Sequence, residues 1–180
     1  FYVFEQVLCN MNIKKNKISL AVQGFGNVGM NFALIAFNAG YKIAAVSDSK
    51  GAIYNEQGLN IKEVLSHKQT TGSVINFKGA KNITNEKLLE LPVEILAPAA
   101  LEGVINGKNA SQIKAKIILE LGNGPITPEA EIKLREKNIL IVPDVLANAG
   151  GVIVSYFEWV QNLQHYYWEQ TKVEANLEKQ

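Results

Sequence analysis

The sequence predicts an α/β fold built on a doubly wound, mostly parallel sheet, and three observations carry that expectation. A short apolar, branched run, ISLAV at residues 18–22, ends in a turn with glycines at 24, 26 and 29. An uncharged segment of helical character follows and leads into a second apolar run at residues 42–47. Strand-like and helix-like segments then alternate along the rest of the chain, the pattern of parallel strands joined by helical crossovers. At 180 residues the chain is long enough for one sizeable core and reads as a single domain.

Taken in order, apolar residues at Phe1, Phe4, Val7, Leu8 and Met11 recur at helical spacing, so an amphipathic helix comes first and ends in a polar turn at residues 12–16. The run at 18–22 has the composition of a strand buried on both faces. A helix is expected over 27–38 with Gly40 closing it, and residues 42–47 form the next strand. That strand, helix, strand order makes the two strands parallel. Downstream, helices are expected near 61–66 and 85–90, and strands at 93–96 and 117–121. Thr127 is placed to cap a further helix with Pro128 at its first position. A strand at 140–142 and a long helix over 152–168 complete the series, and the polar tail at 171–180 reads as a helix end or a frayed one. Charged residues at 108–116 and 129–137 read as solvated helix faces without chemistry.

Composition narrows the partners. Lys and Arg number 18 against 17 Asp and Glu, so no basic excess points to nucleic acid or an anionic membrane, and small molecules are the expected ligands. A lone cysteine, Cys9, cannot form an internal disulfide, and with only His67 and His165 no Cys/His cluster of metal spacing exists. A cytoplasmic protein without a metal is expected. The uncharged run at 18–41 is a poor membrane span, because Gln23, Asn27, Asn31, Asn38 and several glycines interrupt it. The chain starts at Phe1 in the middle of a helical pattern and reads as a piece of something longer.

The glycine turn carries the chemistry. After a first strand the chain must bend sharply, let its backbone approach a pyrophosphate, and pack a helix on the sheet, and Gly24, Gly26 and Gly29 stand where those demands fall. The helix beginning there points unpaired N–H groups and partial positive charge at the phosphates. Asp48 follows Gly29 by nineteen residues at the end of the second strand, where a carboxylate can accept hydrogen bonds from a ribose diol. This is the context of a Rossmann-type dinucleotide site. Asp48 favours NAD by repelling a 2′-phosphate, while Lys50 beside it keeps NADP open. Three packing glycines and a loop-capping Asp48 form the alternative, which leaves their spacing unexplained.

In an open parallel sheet, ligands lie across the carboxyl ends of the strands. Three loops there stand out: APAAL at 97–101, GNGP at 122–125 and PDVLANAGG at 143–151. Small residues at Ala99 and Ala100 admit close approach of backbone to ligand. Asn123 and Asn148 sit among glycines, either as simple turn formers or as amides for a nicotinamide and its ribose.

GFGNVG, SDSKG, APAAL, NGPITPEA and NAGGVIVSYFEWVQN together resemble the coenzyme-binding, C-terminal domain of the glutamate, leucine, phenylalanine and valine dehydrogenase family. The resemblance runs from Phe1 to about Gln164, and its last motif is most similar to the hexameric glutamate dehydrogenases. It implies a two-domain enzyme, with residues 1–12 as a connecting helix, 13–151 as the NAD(P)-binding domain, and 152–180 as a long helix and hinge towards an N-terminal substrate domain. It implies that Gly24, Phe25, Gly26, Asn27, Val28 and Gly29 lie under the pyrophosphate, that Asp48 and Ser49 hold the adenosine ribose, and that Ala99, Ala100, Asn123 and Asn148 border the nicotinamide. Ser155 would contact the substrate's side-chain carboxylate, with Val152 lining the same pocket.

The implied reaction is reversible oxidative deamination of L-glutamate to 2-oxoglutarate and ammonia, in a homo-hexamer. The family's catalytic lysine and aspartate belong to the other domain, so no catalytic residue is assigned here and the chain alone is expected to lack turnover. A serine such as Ser155 can also bond back to its own helix. Tyr156, Phe157 and Trp159 are expected to be hinge packing rather than a binding box. Leu121 departs from the family's small residue and is expected to disturb the Asn123 loop. A branched-chain or aromatic amino-acid dehydrogenase and a stand-alone nucleotide-binding module remain the alternatives.

Overall fold

In the computed structural model, which describes residues 1–179, helix α1 (Tyr2–Asn10) leads into strand β1 (Ser19–Gln23), all five of whose residues are buried. Helix α2 (Asn27–Asn38) follows, then β2 (Lys42–Asp48). The end of α2 shows why Gly40 was legible as its stop. Gly40 has φ +87°, its N–H donates to Phe37 O, and Tyr41 N–H donates to Ala36 O, which satisfies two carbonyls the helix leaves open.

Next come β3 (Gly51–Tyr54), α3 (Ile61–Thr71), β4 (Lys81–Ile83), α4 (Asn85–Leu89), β5 (Ile95–Pro98) and β6 (Ile117–Leu119). The chain ends with α5 (Pro128–Glu136), β7 (Leu140–Val142), α6 (Asp144–Ala147), α7 (Gly150–Gln164) and α8 (Gln170–Glu178). Asn60, Thr84 and Thr127 cap α3, α4 and α5 by accepting hydrogen bonds from Glu63, Lys87 and Ala130 N–H.

The seven strands form one sheet in the order β4-β3-β2-β1-β5-β6-β7. β2, β1, β5, β6 and β7 run parallel, whereas β3 and β4 are added antiparallel at one edge. The core divides by the two-residue period of the strands. Leu20, Val22, Ile95, Ala97, Ile117 and Leu119 face the layer of α1, α2 and α3, while Ala21, Leu96 and Ile118 face the layer holding Leu88, Leu89, Ala130 and Leu134 of α4 and α5. Fully burying each large aliphatic side chain stabilises by about 1.5–3 kcal/mol. Helices on both faces make the sheet doubly wound, as the sequence predicts.

Several expectations need correction. β3 and β4 were not anticipated. The strand expected at 93–96 lies at Ile95–Pro98, that expected at 117–121 ends at Leu119, and α3 runs on to Thr71, where Gly72 at φ +76° stops it. Residues 108–116 are not a helix but a loop with one 3-10 turn, Ala110–Gln112. Asn106 and Asn109 explain it: Asn106 Oδ1 accepts from Lys108 N–H and Asn109 Oδ1 accepts from Asn106 N–H, which diverts backbone donors from a helical ladder. The long helix stops at Gln164 rather than 168, because His165 adopts φ +51° and its N–H donates to Asn162 O. The polar tail forms α8, with Gln180 outside the described residues. Among the described residues no helix is long and apolar enough to cross a membrane.

Candidate functional site

From β1 the chain moves through β2, β3 and β4 on one side, then returns to β5 on the other side of β1. A ligand crevice is expected where the winding reverses, between the loops after β1 and β5. The glycine turn and Ala99–Ala100 meet there.

The three glycines prove to have separate duties. Gly24 has φ +96°, and a methyl on it would lie 2.7 Å from Ala100 Cβ, so it makes the bend against the β5 loop. A methyl on Gly29 would lie 1.9 Å from Gly24 O, so α2 packs directly on the turn. Gly26 alone opens outward, since a methyl there would meet no heavy atom within 4 Å. Gly26 is also the N-cap of α2 and carries no side chain to satisfy the first N–H groups, which face that open space together with Asn27 and Val28. Such a cradle fits a pyrophosphate.

The neighbouring side chains fix the turn from below. Gly24 N–H donates to Ser47 Oγ at 3.1 Å. Phe25 is only 2% exposed and packs in the core, so its side chain is unavailable to a ligand and only its main chain borders the cleft. The Phe25 carbonyl is itself engaged, accepting from Lys68 Nζ at 2.8 Å.

Asp48 closes β2 beside the turn. Its Oδ1 accepts from Lys50 N–H at 2.9 Å and Ser73 Oγ at 3.2 Å, and its Oδ2 accepts from Val74 N–H at 2.8 Å. Lys68 Nζ stands 3.7 Å from Oδ2. Burial of the carboxyl opposes its ionisation, but these hydrogen bonds, with Lys68, outweigh it and hold the pKa below the ordinary carboxylate value. Asp48, Ser49, Gly24, Phe25, Gly26, Lys68 and Asn85 border a cleft of about 350 Å³ that also reaches Ala100.

Ala100 also lines a second cleft, of about 560 Å³, so the two adjoin across the β5 loop. This second cleft gathers Val28, Ala99, Asn123, Asn148, Val152 and Ser155. Residues from α2, β5, β6 and α7, far apart in sequence, thus share one wall. Asn148 Nδ2 donates to Asn123 Oδ1 at 2.7 Å, which ties the β6 loop to the end of α6. Ser155 Oγ donates to Gly151 O at 2.9 Å, the backbone bond one turn earlier that the helix alone would supply. A ligand carboxylate would have to take that proton over. Leu121 is 6% exposed and packs in the core, and the Leu121 and Gly122 N–H groups both donate to Pro98 O.

Sequence reading missed the groups that hold this wall. Glu120, after β6, is 8% exposed, and its Oε2 accepts from Asp144 N–H at 2.9 Å. Asp144 Oδ2 accepts from Gly124 N–H at 2.8 Å. Burial pushes the Glu120 pKa up, against the Asp144 N–H bond, and the charges of Asp144 and Glu131 push the same way as burial. Lys68, Ser47 and Asn85 were also missed, since each reaches the cleft only through tertiary packing. Among the described residues no group of three or more His, Cys, Asp and Glu is arranged to hold a metal.

Residues 1–180 match the family described as Glutamate/Leucine/Phenylalanine/Valine dehydrogenase. Glutamate dehydrogenase of Thermotoga maritima is 53% identical over 170 residues, covering 94% of this chain and 41% of that protein. A hetero-hexameric glutamate dehydrogenase of Thermus thermophilus, in a leucine-bound form, superposes with a TM-score of 0.92 at 35% identity, over 99% of this chain and 42% of that one. Glutamate dehydrogenase of Peptoniphilus asaccharolyticus gives a TM-score of 0.80 at 37% identity, over 99% and 41% of the two chains. The chain therefore spans about two fifths of the length of these relatives. Matched over its full length and 53% identical to one such relative, the chain belongs to the glutamate, leucine, phenylalanine and valine dehydrogenase family.

Proposed function

We propose that this chain is the NAD(P)-binding part of a glutamate dehydrogenase, which converts L-glutamate reversibly to 2-oxoglutarate and ammonia. The observation that carries the reading is the second cleft, where Asn123 and Asn148 stand on the same wall as Val152 and Ser155 and adjoin the glycine turn. A bound nicotinamide dinucleotide supplies the hydride acceptor. The chain's own residues bind and orient. Main-chain N–H groups at Gly26, Asn27 and Val28 hold the pyrophosphate, Asp48 and Ser49 border the adenosine ribose, and Ala99, Ala100, Asn123 and Asn148 border the nicotinamide. Val152 lines the substrate pocket, and Ser155 Oγ–H turns from Gly151 O to the substrate's side-chain carboxylate. NAD is used at least as readily as NADP, because Asp48 places a carboxylate at the ribose.

The groups that move protons belong to a substrate domain that this chain does not supply, with residues 152–180 as the hinge segment towards it. A cytoplasmic homo-hexamer is the assembly in which the longer protein works. Calorimetric titration of the 180-residue chain tests the reading. NADH is expected to bind with weak to moderate affinity, and glutamate turnover is expected to be absent. Dehydrogenase activity from this chain alone would overturn the assignment of the proton-transfer groups to another domain, and failure to bind either nucleotide would overturn the coenzyme reading itself.

A further inference from the structure

We propose that the chain carries a site of covalent self-modification at Asn106–Gly107, where the side-chain amide is lost as ammonia, and that the fold shields its second Asn–Gly pair, Asn123–Gly124 of the wall, from the same reaction. The proposal goes beyond the coenzyme reading and does not rest on it.

An asparagine followed by glycine is open to this chemistry because glycine has no Cβ to shield its amide nitrogen. Asparagine is itself among the thermolabile residues. Gly107 N gives its proton to hydroxide and forms a bond to Asn106 Cγ. The Cγ–Nδ2 bond breaks, and Nδ2 takes a proton from water and leaves as ammonia, which regenerates the hydroxide. Water then adds to the five-membered imide. Opening at Cγ leaves aspartate, whereas opening at the main-chain carbonyl carbon leaves isoaspartate, with the backbone rerouted through Cβ. Nothing is oxidised or reduced.

The two pairs differ in what surrounds the attacking nitrogen. Among the described residues no acceptor engages the Gly107 N–H, so its proton is free to leave. Asn106 Oδ1 accepts from Lys108 N–H at 3.0 Å, which puts a donor where negative charge develops as the nitrogen attacks. Lys133 Nζ donates to Gly107 O at 2.7 Å and lies 3.9 Å from where a Cβ on Gly107 would stand. A cation therefore borders the amide that must ionise, and it favours the anion. Glu129 of α5 also borders Gly107, through its Cβ, and among the described residues bonds to no group of this loop.

At Gly124 the charges are reversed. Its N–H donates to Asp144 Oδ2 at 2.8 Å, and Glu102 Oε1 lies 3.9 Å from where a Cβ on Gly124 would stand. Two carboxylates thus oppose loss of the proton. Asn148 Nδ2 donates to Asn123 Oδ1 at 2.7 Å and holds the Asn123 side chain to the wall. The pair that carries a site residue is the guarded one.

Peptide mapping by mass spectrometry tests the proposal, on the 180-residue chain incubated at mildly alkaline pH with and without urea. Conversion of an amide to an acid is read at each asparagine, and chromatographic separation distinguishes aspartate from isoaspartate. In the folded chain Asn106 is expected to convert at least about threefold faster than Asn123, and a smaller ratio overturns the proposal. Unfolding in urea is expected to bring the two rates together. A preference that persists in urea belongs to the local sequence and overturns the part assigned to the fold. Lys133→Met is expected to slow Asn106 in the folded chain only, and Asp144→Ala to speed Asn123. An unchanged rate in either variant overturns the role of that charge, and the folded-against-unfolded comparison decides without them should a variant fail to fold.

Discussion

At one end of the groove the Asp48 side chain is largely buried and engages Lys50, Ser73, Val74 and Lys68, while at the other Val152 is exposed and Ser155 bonds only to its own helix. The glycine-turn end is closed by the chain's own residues: backbone, core and ion pair already meet one another there. The asparagine end is a wall, held from behind by Glu120 and Asp144 and open in front. The difference separates two tasks within one domain. On the proposed reading, the end that takes the coenzyme is braced by the chain's own bonds around an open α2 N-terminus, whereas the end that faces the substrate holds Ser155 in a bond that a ligand can replace.

The sharpest way to break that contrast is Gly29→Ala. Its methyl would lie 1.9 Å from Gly24 O, which is backbone and cannot step aside. Urea unfolding is expected to show a loss of about 3 kcal/mol or more. A loss below about 1 kcal/mol would show the turn to be far more yielding than its packing implies. Gly26→Asp should behave differently, because nothing lies within 4 Å of the added Cβ. Stability should change by less than about 0.5 kcal/mol, while NADH affinity falls by about tenfold or more, since a carboxylate would face the pyrophosphate. Equal destabilisation by both substitutions would erase the distinction between packing glycine and cradle glycine.

At the open end, Ser155→Ala in the full-length dehydrogenase should cut the preference for glutamate over monocarboxylic amino acids by about 1.5–3 kcal/mol, or on the order of 10- to 100-fold. An unchanged preference rules out the contact with the substrate carboxylate.

The smallest expected effect lies behind the wall. Burial, helped by Asp144 and Glu131, raises the folded pKa of Glu120. The folded state then holds the proton more tightly than the unfolded one, so stability falls as pH rises from the unfolded value through the folded value. Glu120→Gln keeps an acceptor for Asp144 N–H and cannot ionise. It should be more stable than the unaltered chain at pH 7 by less than about 1 kcal/mol, with the difference gone below about pH 4. Thermal unfolding across that range checks the sign, and a gap that does not vary with pH excludes titration of Glu120 as its source.

The sequence made one half of the molecule plain and the other half faint. β1, the glycine turn, α2 and β2 were readable because their signals are local: a buried run, three glycines with distinct steric duties, and a C-terminal glycine at φ +87°. β3 and β4 were hidden because GAIY is short and KNI is polar, and because β3 pairs with β2 through a two-residue reversal at Ser49 and Lys50 that aligns Asp48 with Gly51, while β4 pairs with β3 from far along the chain. Residues 108–116 misled because charge alone has no period, and the turn-forming bonds of Asn106 and Asn109 were decisive. The aromatic run past Gln164 hid the helix end, which a left-handed His165 sets. In the candidate site, the loop residues could be found by their place after strands. Lys68 could not: nothing in its neighbours along the chain ties it to an aspartate twenty residues earlier, and only the packing of α3 beside the turn brings them together.

The antiparallel pair at the rim of the sheet has a consequence of its own. β4 is the outermost strand on that side, three residues long, with Lys81 exposed and the Asn82 side chain bonded to Asn76. A stray strand from another molecule seeking to extend the sheet there would have to strip water from a lysine and accommodate the Asn76–Asn82 pair for only three residues of ladder. The polar rim thereby protects newly made, crowded chains against edge-to-edge clumping on that flank, a benefit to solubility that is independent of the groove.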